Sequence, residues 1–373
     1  MHEAPAPSGA ATVLDREQRT ARRAAPCYAA LDLGTNNCRL LIATRGSVGE
    51  GFRVIEAFSR IVRLGDGLSR TGQLDDQAME RAMAALRICA DKIRRRRPVK
   101  MKAVATQACR SAGNGAEFID RVEQETGLKL QVISPREEAQ LSVAGCAALL
   151  DRSSEAALVV DVGGGSTELS WVDLKSPHGR PDRPPIRAWL SIPVGVVTLA
   201  EQFPEDGDRA TWFSAMVDHV KSHISAFPHA EPMRELFAEG GAHLIGTSGA
   251  ITSLAGLHLG LARYERARVD GLWLTRSDCD AAAARLMALT STQRAAQPCI
   301  GADRADLVLA GAAILDAVQS LWPCVRVRVA DRGLREGLLL SLMDDRRRGR
   351  RRRRGRGGGQ GRAVEPAIRA QLP

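Results

Sequence analysis

Two α/β domains facing each other across a cleft are the fold that this 373-residue sequence predicts. Three observations carry the prediction. A strand–turn–strand signature occurs twice, at 27–43 and at 157–170. Apolar strands alternate with helical patterns in both halves. The length, at 44% hydrophobic and 26% charged residues, is enough for two buried cores.

Each signature has an apolar run that ends on an aspartate, then a tight turn of small polar residues, then a second alternating run. The first copy places Asp32 before Gly34, Thr35, Asn36 and Asn37; the second places Asp161 before Gly163, Gly164, Gly165, Ser166, Thr167 and Glu168. Glycines let the backbone approach a ligand closely, and successive N–H groups and hydroxyls suit phosphate oxygens. For the first turn an Asx-rich hairpin is the plain alternative. Three successive glycines are costly for a plain turn, so the second signal is the stronger. Neither turn fits a P-loop or a dinucleotide-binding fingerprint.

Elements follow in order. Residues 1–26, rich in Ala, Pro and charge without periodicity, read as disordered. Tyr28–Leu33, Arg39–Thr44 and Phe52–Leu64 read as three successive antiparallel strands. Leu74–Arg95 is an amphipathic helix whose C-terminal end carries Arg94–Arg97, where the helix dipole favours cations. Lys102–Thr106 is a strand, Ala116–Thr126 a helix closed by Gly127, and Lys129–Ile133 a strand. Pro135 opens the helix Arg136–Leu149. The scheme then repeats, with strands at Leu158–Val162, Leu169–Leu174 and Ile186–Ile192, and a proline-rich loop at Ser176–Pro185. Then come the helix Thr211–Ala226, the strand His243–Gly246 and the helix Ala250–Leu257. Ser277 caps the helix Asp278–Leu289. The helix Arg304–Leu321, the strand Val325–Val329 and the helix Leu334–Met343 complete the body. The domains are set at 27–141 and 142–345, with a disordered arginine-rich tail at 346–373.

Three further stretches bear on chemistry. Thr247, Ser248 and Gly249 turn a strand into a helix N-terminus, where free N–H groups attract anions; tight packing of the turn explains them equally well. Glu137 and Glu138 follow Pro135 in the first helical turn. They suit the dipole there, but hydrolysis of a phosphoanhydride also needs a carboxylate to activate water. Only one of the two can face a cleft. Arg110 follows a strand end and could fork onto phosphate.

Charge and cysteines exclude other classes. Ten arginines and no acid lie between Arg346 and Arg362, so the tail holds the whole net charge of +10 and the body is neutral. Eight scattered cysteines without a CxxC pair read as reduced, buried thiols of a cytoplasmic protein. His219 and His223 have helical spacing without an acidic partner, which fits a solvated helix face better than a metal pair. No apolar stretch is long enough to cross a membrane.

Taken together, the motifs resemble the exopolyphosphatase / guanosine pentaphosphate phosphatase family, within the actin, sugar-kinase and heat-shock ATPase superfamily. AALDLGTNNCRLLIA (29–43), RLGDGL (63–68), ATQACR (105–110), REEAQ (136–140), VVDVGGGSTEL (159–169), LIGTSGAITSLAG (244–256) and DRGLREGLL (331–339) occur in family order. The resemblance implies two actin-like (ribonuclease H-like) domains. It implies Glu138 as the base that activates water, and Asp161 and Glu168 as the acids that hold Mg²⁺. It also implies phosphate cradles at Gly34–Asn37 and Gly163–Thr167, with Asp32 and Arg110 beside them. The expected activity is release of terminal phosphate from polyphosphate or guanosine pentaphosphate. A homodimer is in keeping with relatives that pair. The alternatives are a kinase or ATPase of the same superfamily, and a protein that contacts RNA or another polyanion through Arg346–Arg362. The chain ends without the helical domains that long relatives use to grip polyphosphate.

Overall fold

The computed structural model describes residues 25–47, 51–177, 184–228 and 230–355. Most of the expected disordered N-terminus, the middle of the proline-rich loop and tail residues 356–373 lie outside them.

The first half comprises β1 (Cys27–Leu33), β2 (Asn37–Arg45), β3 (Phe52–Ile61), α1 (Leu68–Thr71), α2 (Asp76–Arg96), β4 (Lys100–Ala105), α3 (Gln107–Ser111), α4 (Gly115–Thr126), β5 (Leu130–Val132) and α5 (Pro135–Cys146). The second comprises β6 (Ala156–Val162), β7 (Thr167–Asp173), β8 (Ile186–Ile192), α6 (Val196–Gln202), α7 (Arg209–Ile224), α8 (Ala230–Ala238) and β9 (Ala242–Thr247). It continues with α9 (Gly249–His258), α10 (Arg266–Val269), β10 (Trp273–Thr275), α11 (Arg276–Ala288), α12 (Ser291–Ala295), α13 (Val308–Leu321), β11 (Arg326–Ala330) and α14 (Leu334–Gly355).

The halves share one topology. The first sheet has the order β3-β2-β1-β4-β5 and the second has β10-β11-β9-β6-β7-β8. In each, the opening strand pairs antiparallel with its hairpin partner and parallel with the strand that follows the first crossover. These are two α/β domains of like plan, as the duplicated signature predicts.

Alternation along the strands divides the core into layers. In β1, Ala29, Leu31 and Leu33 face an outer cluster with α2 and α4, while Tyr28 and Ala30 face an inner cluster. In β6, Leu158, Val160 and Val162 face the outer cluster, and Ala157 and Val159 the inner one. The same parity turns Asp32 and Asp161 inward, towards the other half.

The inner layer holds an arrangement that hydrophobic periodicity could not supply. Helix α14 comes last in the chain, yet its Leu334, Leu338, Leu339 and Leu342 pack on the first sheet, against Tyr28, Leu41 and Val104. Helix α5 ends the first half, yet its Val143 and Cys146 pack on the second sheet, against Val159, Val172 and Ile245. The body therefore does not divide cleanly at 141/142. The two helices cross at glycines. A Cβ on Gly337 would lie 1.9 Å from the Leu141 carbonyl oxygen, and one on Gly145 would lie 1.9 Å from that of Gly333.

Several expected boundaries move. Helix α14 runs on to Gly355 instead of stopping at Met343, so the first arginines of the expected disordered tail stand on helical backbone. The N-cap of α11 is Thr275, whose hydroxyl accepts from the Asp278 N–H while the Asp278 carboxylate accepts from the Thr275 N–H; Ser277 lies inside the helix. The expected helix from Arg304 begins at Val308, after a 3₁₀ turn at Ala302–Arg304. No helix among the described residues is long and apolar enough to cross a membrane.

Candidate active site

A cleft of about 500 Å³ opens where the C-terminal ends of β1 and β6 meet. Ligands in open α/β sheets bind at such strand ends. Of the residues singled out from the sequence, Asp32, Gly34, Thr35, Asn36, Asn37, Glu138, Asp161, Gly163, Gly164, Gly165, Ser166, Thr247, Ser248 and Gly249 all line it.

The two turns touch. A Cβ on Gly164 would sit 3.0 Å from the Asn36 nitrogen and 3.0 Å from the Thr35 Cβ. A Cβ on Gly165 would sit 2.0 Å from the Gln107 side-chain oxygen, which accepts a 3.1 Å hydrogen bond from the Thr35 hydroxyl. Glycine at 164 and 165 is thus what lets the halves close. The third turn contributes Ser248, held at φ 149° while its hydroxyl caps α9 by accepting from the Ala250 and Ile251 N–H groups. A non-glycine residue at that φ stores strain of the kind that collects at functional sites.

Ser134 caps α5 by accepting from the Glu137 N–H, and Pro135 starts the helix. The following turn separates the two acids. Glu137 points away and pairs with Lys102 at 2.8 Å. Glu138, 8% exposed, faces the cleft and receives Arg110 Nη1 at 3.3 Å.

Four carboxyls crowd this space, and burial is the leading cause of each shift. Glu138 is pushed well above its ordinary range by burial and then by the neighbouring Glu168, against the pull of Arg110. Glu168 is raised to about 7 by burial and Asp161, and Asp32 to about 6 by burial, with Arg39 opposing. Asp161 is raised by burial as well. Carboxyls held in this way resist ionisation until a cation joins them.

Three expected site residues sit behind the cleft wall. The Thr167 hydroxyl is buried and donates to the Val194 carbonyl at 2.7 Å, so it is not a phosphate donor. Glu168 is 2% exposed and accepts from the Ser166 and Ser191 hydroxyls, each at 2.8 Å. Arg110 is spent on Glu138 and on the Ile133 carbonyl at 2.7 Å. It positions Glu138 from behind and does not reach the phosphate cradle.

The sequence did not single out the cations that do line the cleft. Arg39 sits directly across the β1–β2 hairpin from Asp32. Arg304 packs along Gly249, and its guanidinium makes no hydrogen bond or ion pair among the described residues. Burial and Arg39 lower its pKa, a sign of two cations gathered in one cleft. The Asp331–Glu336 run forms the floor. There, Glu336 accepts from the Gly333 N–H at 2.9 Å and from Arg335 at 3.0 Å.

A cross-domain latch flanks the loops. Arg63, from the 63–68 turn, grips Asp306 through both Nη atoms at 2.8 and 2.9 Å. Glu201 reaches back to the Gly67 N–H at 2.7 Å and the Ser69 hydroxyl at 2.6 Å. Partly exposed pairs add little stability, but this one ties the two halves together beside the cleft. Asp306→Asn is expected to raise KM about threefold to tenfold with kcat changed less than twofold, read from steady-state phosphate release. An unchanged KM would mean that the pair does not help hold the cleft shut.

A sequence profile of the Ppx/GppA phosphatase family matches residues 41–346. The chain belongs to the Ppx/GppA phosphatase family. A family member from Aquifex aeolicus of known structure is 27% identical with a TM-score of 0.69, covering 86% of this chain and 98% of that one. An exopolyphosphatase-like protein is 29% identical with a TM-score of 0.74, over 85% and 97% of the two chains. An exopolyphosphatase from Cytophaga hutchinsonii, at 24% identity and a TM-score of 0.74 over 86% and 98%, shares the fold. Membership makes this protein a phosphatase-family enzyme, and the cleft is where its motif residues meet.

Proposed function

We propose that this Ppx/GppA family member is a Mg²⁺-dependent phosphoanhydride hydrolase. It releases the terminal phosphate of inorganic polyphosphate or guanosine pentaphosphate, with water activated by Glu138. The observation that carries the reading is the placement of Glu138: of the two acids in its helical turn, it alone faces the cleft, where the two glycine-rich turns also open.

The donor set fits Mg²⁺. Asp161 lines the cleft and offers a hard oxygen ligand; Glu168, opposite it on the hairpin and behind the wall, would support the ion from there, and the burial that raises both pKa values is what a divalent cation relieves. No three acids among the described residues converge as a closed metal cage. Mg²⁺ commonly takes one or two carboxylates and completes its shell with water and substrate phosphate. When bound, it would neutralise charge on the phosphoryl oxygens.

The chain's own residues do the rest. Backbone N–H groups of the touching turns orient the terminal phosphate, and Arg39 and Arg304 offset its charge. Glu138 takes a proton from water as the water oxygen bonds to the terminal phosphorus. The bond from that phosphorus to the bridging oxygen breaks, and the shortened chain leaves as an anion. Arg110 keeps the Glu138 carboxylate aimed and partly offsets the burial that would keep it protonated.

Phosphate release from polyphosphate, guanosine pentaphosphate and ATP, with Mg²⁺ and with chelator, tests the reading. Absence of release from all three removes it. A second measurement tests the metal by a readout other than turnover. Metal ligands must shed their protons, and protons on raised carboxyls compete with the ion. Mg²⁺ is therefore expected to raise Tm by several degrees at pH 8 and by almost nothing at pH 5.5, below the value of about 7 for Glu168. Asp161→Asn should abolish the pH 8 increment. An increment equal at both pH values would rule these acids out as ligands.

A further inference from the structure

The end of the first domain that points away from the cleft gathers basic groups from separate parts of the chain. Strand register fixes that end: Arg53 pairs with Thr44, and Thr44 with Cys27, in one row across three strands. The C-terminus of α2 reaches the same row, where the Cys27 thiol donates to the Arg96 carbonyl and the Val99 N–H donates to the Cys27 carbonyl. Helix α14 leaves the fold there too, with Leu342 and Met343 packed with Tyr28 and Phe52, and Leu340 against Gly51.

The charge at this end is largely uncompensated. Glu56 is taken by Lys92 and Arg96, and Asp91 by Arg94. Arg53, Arg95 and Arg97 are exposed and make no ion pair among the described residues. Just beyond, eight arginines stand between 346 and 354 on the continuing helical backbone of α14. The anchored part of α14 has already met the cost of helix nucleation.

We infer that this end is a docking face for long-chain inorganic polyphosphate, separate from the catalytic cleft. The inference rests on polyphosphate being the substrate class. The other dense biological polyanion, single-stranded RNA, is bound through aromatic platforms that stack bases as well as through charge. Of the aromatic residues at this end, Tyr28 is buried in the core and Phe52 is half-buried against it. A face of guanidinium groups without a fully exposed ring to stack on reads charge density alone, and polyphosphate has nothing else to read. The face would hold a long chain to the enzyme while its terminus is hydrolysed.

Binding of labelled long-chain polyphosphate and of tripolyphosphate to the full chain, in chelator so that nothing turns over, tests this. Long-chain affinity is expected to fall about 10³-fold between 50 and 200 mM salt. Arg53→Ala with Arg95→Ala should weaken long-chain binding at least tenfold. It should also flatten the logarithmic salt slope by about 1.4, at about 0.7 per lost contact. The corresponding lysine pair should keep the wild-type affinity, and turnover of tripolyphosphate should be unchanged in both. Unaltered long-chain binding in the alanine pair overturns the inference. So does single-stranded RNA of equal charge binding more tightly than polyphosphate. Because the assay needs no catalysis, a protein that binds long chains but releases no phosphate would refute the proposed activity and leave the docking face standing.

Discussion

Glu138→Gln is expected to lower kcat about 10³-fold on the substrate that the wild type hydrolyses, with KM changed less than threefold. General-base catalysis contributes about 10²- to 10⁴-fold, and the glutamine keeps the shape of the side chain and its reach towards Arg110. A group that acts mainly on the water in the transition state should leave ground-state binding nearly intact. Arg110→Lys gives the complementary test. If Arg110 acts by holding Glu138, the variant should bind substrate normally while the rising limb of its pH–rate profile moves to higher pH. Both follow from one 3.3 Å contact and a carboxyl that burial holds above its ordinary range. Equal losses in kcat and affinity for Glu138→Gln would make this residue part of the phosphate cradle and not the base.

Gly337→Ala is expected to be, with Gly145→Ala, among the most damaging single methyl additions at the described glycines. The added carbon would lie 1.9 Å from the Leu141 carbonyl oxygen and 3.1 Å from the Gly145 nitrogen, both backbone atoms on a helix that cannot turn aside. Overpacking of this kind costs about 3 kcal/mol, a fall in Tm of roughly 4 °C for a body of this size. The same methyl would push α14 off α5 and disturb the Asp331–Glu336 floor, so kcat should fall along with Tm. A variant within 1 °C of the wild type would mean that the crossing yields more easily than its backbone contacts imply.

Much of this architecture was legible before any coordinates. The paired signatures gave the duplicated α/β plan, because an apolar run ending on an aspartate and a small-residue turn is a local pattern. The helical turn after Pro135 predicted that only one of Glu137 and Glu138 could face a cleft, since adjacent positions on a helix point apart. Other features depend on distance in space. The leucines of α14 announce a buried face, but periodicity cannot say which sheet covers it, and the exchange of α5 and α14 between halves went unseen. Thr167 stands in a run of hydroxyls, yet strand alternation turns it into the wall. Arg39 and Arg304 look like ordinary surface arginines until the fold brings them to one cavity. The fold and the cradle backbone could be read from local chemistry; the cations and the supporting contacts could not.

The register of the two hairpins leads to one more result. Arg39 stands opposite Asp32 in the first half, and at the matching place in the second half Glu168 stands opposite Asp161. A repeated scaffold has thus acquired opposite charge at equivalent points of its two hairpins: the basic side chain of the first lines the cavity, and the acidic one of the second is folded into the wall behind it.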